Sequence, residues 1–390
     1  MKIGFIGLGK LGKDVAEVIH DAGYNIVGYD IKKVDSYIKI ADNLKEACFG
    51  KDIVFIAVQT PHHPDYDGRY PTNHLKPKDF DYSIVKNVIK KTDKFLSKKT
   101  LLVLISTVLP GTVRREISKL VKKSRFIYNP YLIAQGTVKY DMKNPEMVII
   151  GTKDGSITGD AKILKKFYSR FVNKKTRYEI GTWDEAEGIK IFYNTFITAK
   201  LCIVNMIQDV AELNGNINVD VITNALQNSK MRIMGPKYMK AGFGDGGGCH
   251  PRDNIALRWM AKKLKMSYDL FSSIMWSREK QAENMAKYVA KFKKDVVILG
   301  EGFKPGIDQK EGSPSILVSY YLKKINKAKK VFFDKNPDQK KSYVYLIHHY
   351  DQYKNFNYYK NSIIVDPYRK FTSHRKDLKI FHYGNTRLKK

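Results

Sequence analysis

Through the first 180 positions, apolar residues gather in short continuous blocks separated by segments of a different period. "KIGFIG", "NIVGYD", "KDIVFIAV", "TLLVLIST", "RFIYNP" and "EMVIIGT" are compact runs rich in Val and Ile, the pattern of strands buried on both faces. Between the first two runs, "KDVAEVIHDAG" spaces its apolar residues for one helical face and ends in glycine. A lysine-rich helical stretch follows at about 79–98. Strand and helix patterns in alternation predict an α/β domain around a doubly wound, mainly parallel sheet.

The pattern changes near 181. From Trp183 to Asn214 there is no proline and a single glycine, which predicts one long helix. Helical spacing continues through "MSYDLFSSIMWSREKQAENMAKYVAKF". A strand-turn-helix pattern returns at 295 with "DVVILGEGFKPG", "SPSILVSYYLKKI" and "KVFFD", and "NSIIVDPYR" reads as a late strand. Little patterned sequence remains after 370, so the last domain is expected to be short.

Composition narrows the setting. A chain of 390 residues with 43% hydrophobic and 28% charged residues describes a globular protein with more than one core. No apolar run approaches a membrane span, and the first residues enter a strand at once, so neither a membrane segment nor a secretory leader is expected. Three scattered cysteines, Cys48, Cys202 and Cys249, make no disulfide framework and fit a reducing, cytoplasmic compartment. The formal charge of +31 is spread along the chain without a basic block or a nucleic-acid-binding consensus, so no nucleic-acid partner is expected.

The first turn carries chemistry. Gly7, Gly9 and Gly12 form G-x-G-x-x-G between a strand and a helix, with Leu11 inside the turn. The glycines permit a tight turn, close approach of a pyrophosphate and close helix–strand packing. Phosphate favours the helix amino terminus, where free N–H groups and the helix dipole converge. Asp30 closes the next strand eighteen residues after Gly12, where an acid accepts from both ribose hydroxyls and repels a 2′-phosphate. The first domain, 1–180, is therefore expected to be a Rossmann-type domain that binds NAD.

A second constellation lies in "GFGDGGGCHPRDN". Pro251 suits the first position of a helix, which puts Cys249 at a helix amino terminus beside His250 and Arg252. All three influences favour the nucleophilic thiolate. Gly246 and the next two glycines remove side chains that would screen the sulfur, and Asp253 follows one turn later. An incidental cysteine in a structural glycine loop is the competing reading. His62, His63 and His74 lack metal-site spacing, and no metal is expected.

With these segments in view, the chain resembles the UDP-glucose 6-dehydrogenase / GDP-mannose dehydrogenase superfamily. "GLGKLG", "AVQTP" with Thr60, and "STVLPGT" with Thr107 resemble its cofactor-side loops. "EGIKIFYNTF" resembles its central-helix motif, and "RIMGPKYMKAGFGDGGGCHPRD" its catalytic-cysteine loop. "GEGFKP", "SPS" and "DPYR" resemble motifs of its carboxy-terminal nucleotide-binding domain. The resemblance implies an NAD-dependent, four-electron oxidation of a sugar CH2OH to a carboxylate. UDP-glucose to UDP-glucuronate is its leading assignment. UDP-N-acetylhexosamine or GDP-mannose is the alternative substrate, and a catalytically impaired nucleotide-sugar-binding protein the alternative function.

It implies Cys249 as nucleophile, Asp253 and Thr107 at the hydrolytic water, and Lys190 with Asn194 on the substrate C6 oxygen. Lys240 and Lys304 hold the diphosphate, with Tyr238 and Gly246 in the same substrate site, and Arg369 contacts the substrate. Arg232 reaches across a homodimer interface. Residues 181–290 become a central helical dimerisation domain, and 291–390 a smaller Rossmann-like domain for the nucleotide sugar. Two features depart from the family's pattern: Tyr131 and Gln135 stand where acids are expected, and Glu311 where an arginine is common.

Overall fold

A computed structural model describes residues 1–61, 79–134, 136–157, 159–235, 241–245, 251, 258, 260–325, 329–337 and 340–385. The chain divides into two compact units, Met1–Lys200 and Leu201–Lys390.

In the first unit the apolar blocks become β1 (Lys2–Ile6), β2 (Asn25–Tyr29), β4 (Ile53–Ile56), β5 (Leu101–Leu104), β6 (Arg125–Tyr128), β7 (Met147–Thr152) and β8 (Arg177–Thr182). With the two-residue β3 (Lys39–Ile40) they form one sheet in the order β3-β2-β1-β4-β5-β6-β7-β8. Every pairing is parallel except β6 with β7. Successive residues point to opposite faces, and both faces are covered. Phe5, Phe55 and Val103 meet α1 (Gly12–Asp21) and α5 (Asp160–Tyr168) through Val15, Ile19 and Phe167. Ile6, Ile56 and Leu104 meet α3 (Ser83–Asp93) through Val85 and Ile89 on the other face. Double burial is the reason these strands read as unbroken apolar runs. The short helices α2 (Leu44–Cys48) and α4 (Val138–Lys143) complete the layers.

Sheet order reverses between β1 and β4, whose carboxyl ends stand side by side with Ile6 opposite Ile56. Crevices at such reversals bind ligands in open α/β sheets. The long helix α6 runs from Trp183 to Asn214, the bounds the pattern predicts. It starts on a reciprocal cap: Glu185 N donates to Thr182 Oγ1 at 3.3 Å, and Thr182 N donates to the Glu185 carboxylate at 2.8 Å.

The second unit contains α7 (Val219–Gln227), α8 (Leu270–Ala290), α9 (Pro314–Ile325) and the short α10 (Tyr350–Tyr353). Its sheet is all parallel, in the order β10-β9-β11-β12-β13. The strands are β9 (Val296–Leu299), β10 (Val331–Phe333), β11 (Val344–Ile347), β12 (Ile363–Asp366) and β13 (Lys379–His382). Met285 and Val289 of α8 join Val318 and Leu322 of α9 against Ile298 and Leu346. Tyr343, Tyr345, Tyr358 and Phe371 fill the opposite face. This last sheet is the smaller of the two, five strands against eight, and β13 lies beyond residue 370. Among the described residues no helix is long and apolar enough to cross a membrane.

"DPYR" is a turn held by its acid. Asp366 is fully buried at the end of β12, and its carboxylate accepts from Tyr368, Lys370 and Phe371 N–H at 2.9, 2.5 and 2.6 Å. Asp366→Ala is expected to strand these buried donors and destabilise the second unit by about 3 kcal/mol or more. A urea-unfolding midpoint unchanged from the parent would contradict that role.

Candidate functional site

The carboxyl end of β1 turns at Gly7, whose φ of +94° suits glycine. Gly7 N donates to Tyr29 O at 3.0 Å, which ties the turn to β2. A Cβ on Gly12 would stand 1.9 Å from the Gly7 carbonyl oxygen, so α1 can begin this close to β1 only without a side chain there. Gly9 faces open space, with nothing within 4 Å of a Cβ placed on it. Leu11 precedes α1 and supplies no side-chain cap, so its hydrocarbon leaves the first-turn N–H groups without a side-chain acceptor.

Asp30 follows β2 and closes the same turn. Its carboxylate accepts from Leu8 N at 2.7 Å and from Lys32 N at 2.9 Å. Each carboxylate oxygen accepts more than one hydrogen bond, so capacity remains for ribose hydroxyls. Thr60 and Thr107, beyond β4 and β5, are joined directly: Thr60 Oγ1 donates to the Thr107 carbonyl at 2.8 Å. Ser106 Oγ donates to the Val58 carbonyl alongside. An open glycine, an uncapped helix start and an acid at the ribose position together fit a dinucleotide.

The first turns of α6 carry a stripe of Trp183, Glu187, Lys190 and Asn194, spaced for one helical face. Lys190 is half-buried, and that burial lowers the pKa of its ammonium. Asn194 lies one turn further on and is exposed. Glu187 is wholly buried and accepts from two backbone donors of the loop beyond Thr107, Gly111 N and Val113 N, the latter at 2.7 Å. Sequence reading passed over Glu187. Its signal was an acid three residues before Lys190, inside a stretch that also buries Trp183 and Ala186.

Tyr131 stands where the resemblance leads one to expect an acid, and the structure ties it to a neighbouring tyrosine. Its hydroxyl lies 2.7 Å from Tyr168 Oη, and Tyr168 donates in turn to Asn129 Oδ1. Asn129 Nδ2 donates to the Ile149 carbonyl at 2.6 Å, which anchors the chain of polar groups to β7. Burial raises the Tyr131 phenol above its ordinary range. Tyr131 is half-buried, packed against the core of the first unit with its hydroxyl engaged by Tyr168.

In the second unit the turn after β9 repeats the logic of the first. Gly300 has a φ of +117°, and Asp334 after β10 accepts from Gly300 N and from Glu301 N, the latter at 3.0 Å. Lys304 is exposed beyond this turn, as is Glu311, and Arg232 is exposed after α7. Arg369 is a brace: it donates to the carbonyls of Ala241 and Tyr383 at 2.8 and 3.1 Å and to Pro367. Tyr238, Lys240, Gly246, Cys249 and Asp253 lie outside the described residues, as do Gln135 and the histidines 62, 63 and 74.

Comparison with known proteins agrees with this geometry. Residues 32–172 match the NAD binding domain of the UDP-glucose/GDP-mannose dehydrogenase family, and residues 184–279 match its central domain. Together these segments span more than half of the chain, which belongs to this family of nucleotide-sugar 6-dehydrogenases with NAD as cofactor. UDP-glucose 6-dehydrogenase of Rickettsia prowazekii is 25% identical over 341 residues, covering 81% of this chain and 77% of the relative. GDP-mannose 6-dehydrogenase of Pseudomonas putida is 27% identical over 355 residues, covering 81% and 77%. A ternary complex of GDP-mannose dehydrogenase from Pseudomonas aeruginosa shares the fold with a TM-score of 0.80 at 20% identity, over 97% of this chain and 99% of that one.

Two outcomes follow from the placements. Asp30→Ala should weaken NAD binding about 10- to 100-fold by fluorescence titration, since it removes charged acceptors from the turn and the ribose. Equal affinity of the parent for NAD and NADP would contradict the role of Asp30. Tyr131→Glu should bury a carboxylate against Tyr168 and lower folding stability by about 3 kcal/mol or more. A variant as stable as the parent would place residue 131 at the surface.

Proposed function

We propose that this protein oxidises the C6 alcohol of a nucleotide sugar to a carboxylate in two successive steps at one site, with UDP-glucose to UDP-glucuronate as the specific reaction. The observation that supports the reading most is the bond between α6 and the cofactor-side loop. Glu187, on the stripe with Lys190 and Asn194, is bound to the segment that leads from Thr107. Bound NAD supplies the hydride acceptor. Lys190 and Asn194 hold the C6 oxygen as charge changes on it, a cation and an amide donor suited to an alkoxide-like oxygen. The lowered proton affinity of Lys190 eases transfer of the alcohol proton.

The first step removes a hydride and a proton and leaves an aldehyde. The Cys249 thiolate adds to its carbonyl carbon, giving a thiohemiacetal. Once NADH is exchanged for a second NAD, loss of a second hydride and the hydroxyl proton leaves a thioester. Water held by Asp253 and Thr107 adds to the thioester, the C–S bond breaks, and carboxylic acid and thiol are released. With a phenol hydrogen-bonded to Tyr168 at position 131 in place of an acid, hydrolysis rests on Asp253 and Thr107. Lys240, Lys304, Tyr238 and Gly246 bind the nucleotide sugar. Arg369 braces the start of the loop that leads to Cys249.

Arg232 completes the site of a second copy in a homodimer or higher oligomer, and the exposed Phe192, Phe196 and Ile197 of α6 supply apolar surface for that contact. The division of labour is cofactor in 1–180, dimerisation and the cysteine loop in 181–290, and nucleotide sugar in 291–390. The setting is cytoplasmic, with no nucleic-acid or membrane partner.

A panel of UDP-glucose, GDP-mannose and UDP-N-acetylhexosamines, with NADH formation as readout, tests the assignment. UDP-glucose should give the highest kcat/KM, and Cys249→Ala should abolish acid formation while NAD binding survives. Preference for another sugar would move the specific assignment. NAD and nucleotide-sugar binding without turnover would replace the enzyme with a binding protein, and full acid production by Cys249→Ala would remove that residue from the chemistry.

A further inference from the structure

The loop after β5 is held at its start, middle and end within the first unit. Its start is tied by Thr60 to the Thr107 carbonyl at 2.8 Å, and its middle by Leu109 N donating to Tyr82 Oη at 3.3 Å. Its end is tied to α6 twice: Glu187, buried, accepts from Gly111 N and Val113 N, and Asp184, nearer the surface, accepts from Arg114. Gly111 has a φ of +87°, and Val113 begins a π-helical turn, Val113–Ile117, so both donors stand where the chain changes direction. Glu187 also precedes Lys190 by one helical turn. Among these ties the Glu187 carboxylate is the fully buried one and the one that holds the loop backbone to the helix presenting the proposed oxyanion-stabilising pair.

We propose that Glu187 is a positioning residue, a proton-sensitive clasp that fixes the Thr107 loop against the Lys190–Asn194 face of α6. The proposal rests on the reading above for its effect on turnover, but the clasp itself is independent of that reading. Ionised, the carboxylate accepts fully from both N–H groups. Protonated, it keeps one good acceptor oxygen and must place its own proton.

The charged and titratable groups around it are Asp184 on α6, Arg114 and Arg115 on the π-helical turn, and Tyr128 at the end of β6. Arg114 is engaged by Asp184 at 2.8 Å. Burial pushes the Glu187 carboxyl up to about 7, against the two backbone donors that favour its charge. The clasp is thus closed above neutral pH and loosens as pH falls through about 7.

Global stability runs the other way. A carboxyl whose pKa rises from 4.5 to about 7 on folding contributes stability that is full below 4.5 and lost as pH rises through 7. Loosening on acidification is therefore local and separable from unfolding.

Amide hydrogen exchange of Gly111 and Val113, corrected for intrinsic rates, reads the clasp in the unaltered protein without substrate. Protection should fall about tenfold from pH 8 to pH 6, with the step near 7. In Glu187→Gln the step should vanish, with protection low throughout, and Glu187→Asp should restore a step. In turnover assays Glu187→Gln should lower kcat about tenfold or more and leave KM for the nucleotide sugar within twofold. The absence of a pH step in the unaltered protein, or a step that persists in Glu187→Gln, overturns the clasp. A clear exchange step in a protein that turns over no nucleotide sugar would uphold the clasp and count against the enzymatic reading alone.

Discussion

The Gly7 carbonyl and the first residue of α1 occupy nearly the same space, and the rest of the first unit is arranged around that contact. With a side chain at position 12, the helix would have to withdraw from β1, because the added carbon would lie 1.9 Å from a backbone oxygen that cannot rotate away. Without one, the amino end of α1 sits directly above the strand, at the reversal of sheet order between β1 and β4. This helix start, which has no side-chain cap, then faces the crevice. Asp30 and the Thr60–Thr107 pair close its sides through bonds between loops that are distant in sequence and adjacent at the sheet edge.

The helix α6 extends this edge. Its first turns carry one fully buried acid, Glu187, and that acid finds its two donors in the loop from β5. A buried carboxylate without partners would be costly, so Glu187 and the loop specify each other's place. The same physical logic recurs without chemistry in Asp366, where a buried acid shapes a turn, and in Asp334, which repeats the role of Asp30 beneath a second glycine turn.

Much of this was legible from spacing. The bounds of α6 followed from 32 residues without proline, and the first sheet from apolar runs whose double burial needs no alternation. Gly7, Gly12 and Asp30 were legible because a tight turn and a strand end leave few residue choices. The second sheet was legible only in part: β11 is framed by tyrosines and histidines in "YVYLIHHY", and β13 has only four residues. Glu187 was missed because its partners are backbone amides, which leave no trace in a sequence. Tyr131 was placed by the resemblance of a short motif, and its direction depends on Tyr168, a contact 37 positions away.

If one site carries out the two proposed oxidations on the same carbon, the ratio of products measures it directly. With NAD in excess and a limiting nucleotide sugar consumed to completion, NADH and sugar acid should be quantified together. Two NADH per molecule of acid, with no free aldehyde captured by a carbonyl reagent, is the predicted result. One NADH per sugar, with the aldehyde released into solution, would contradict it.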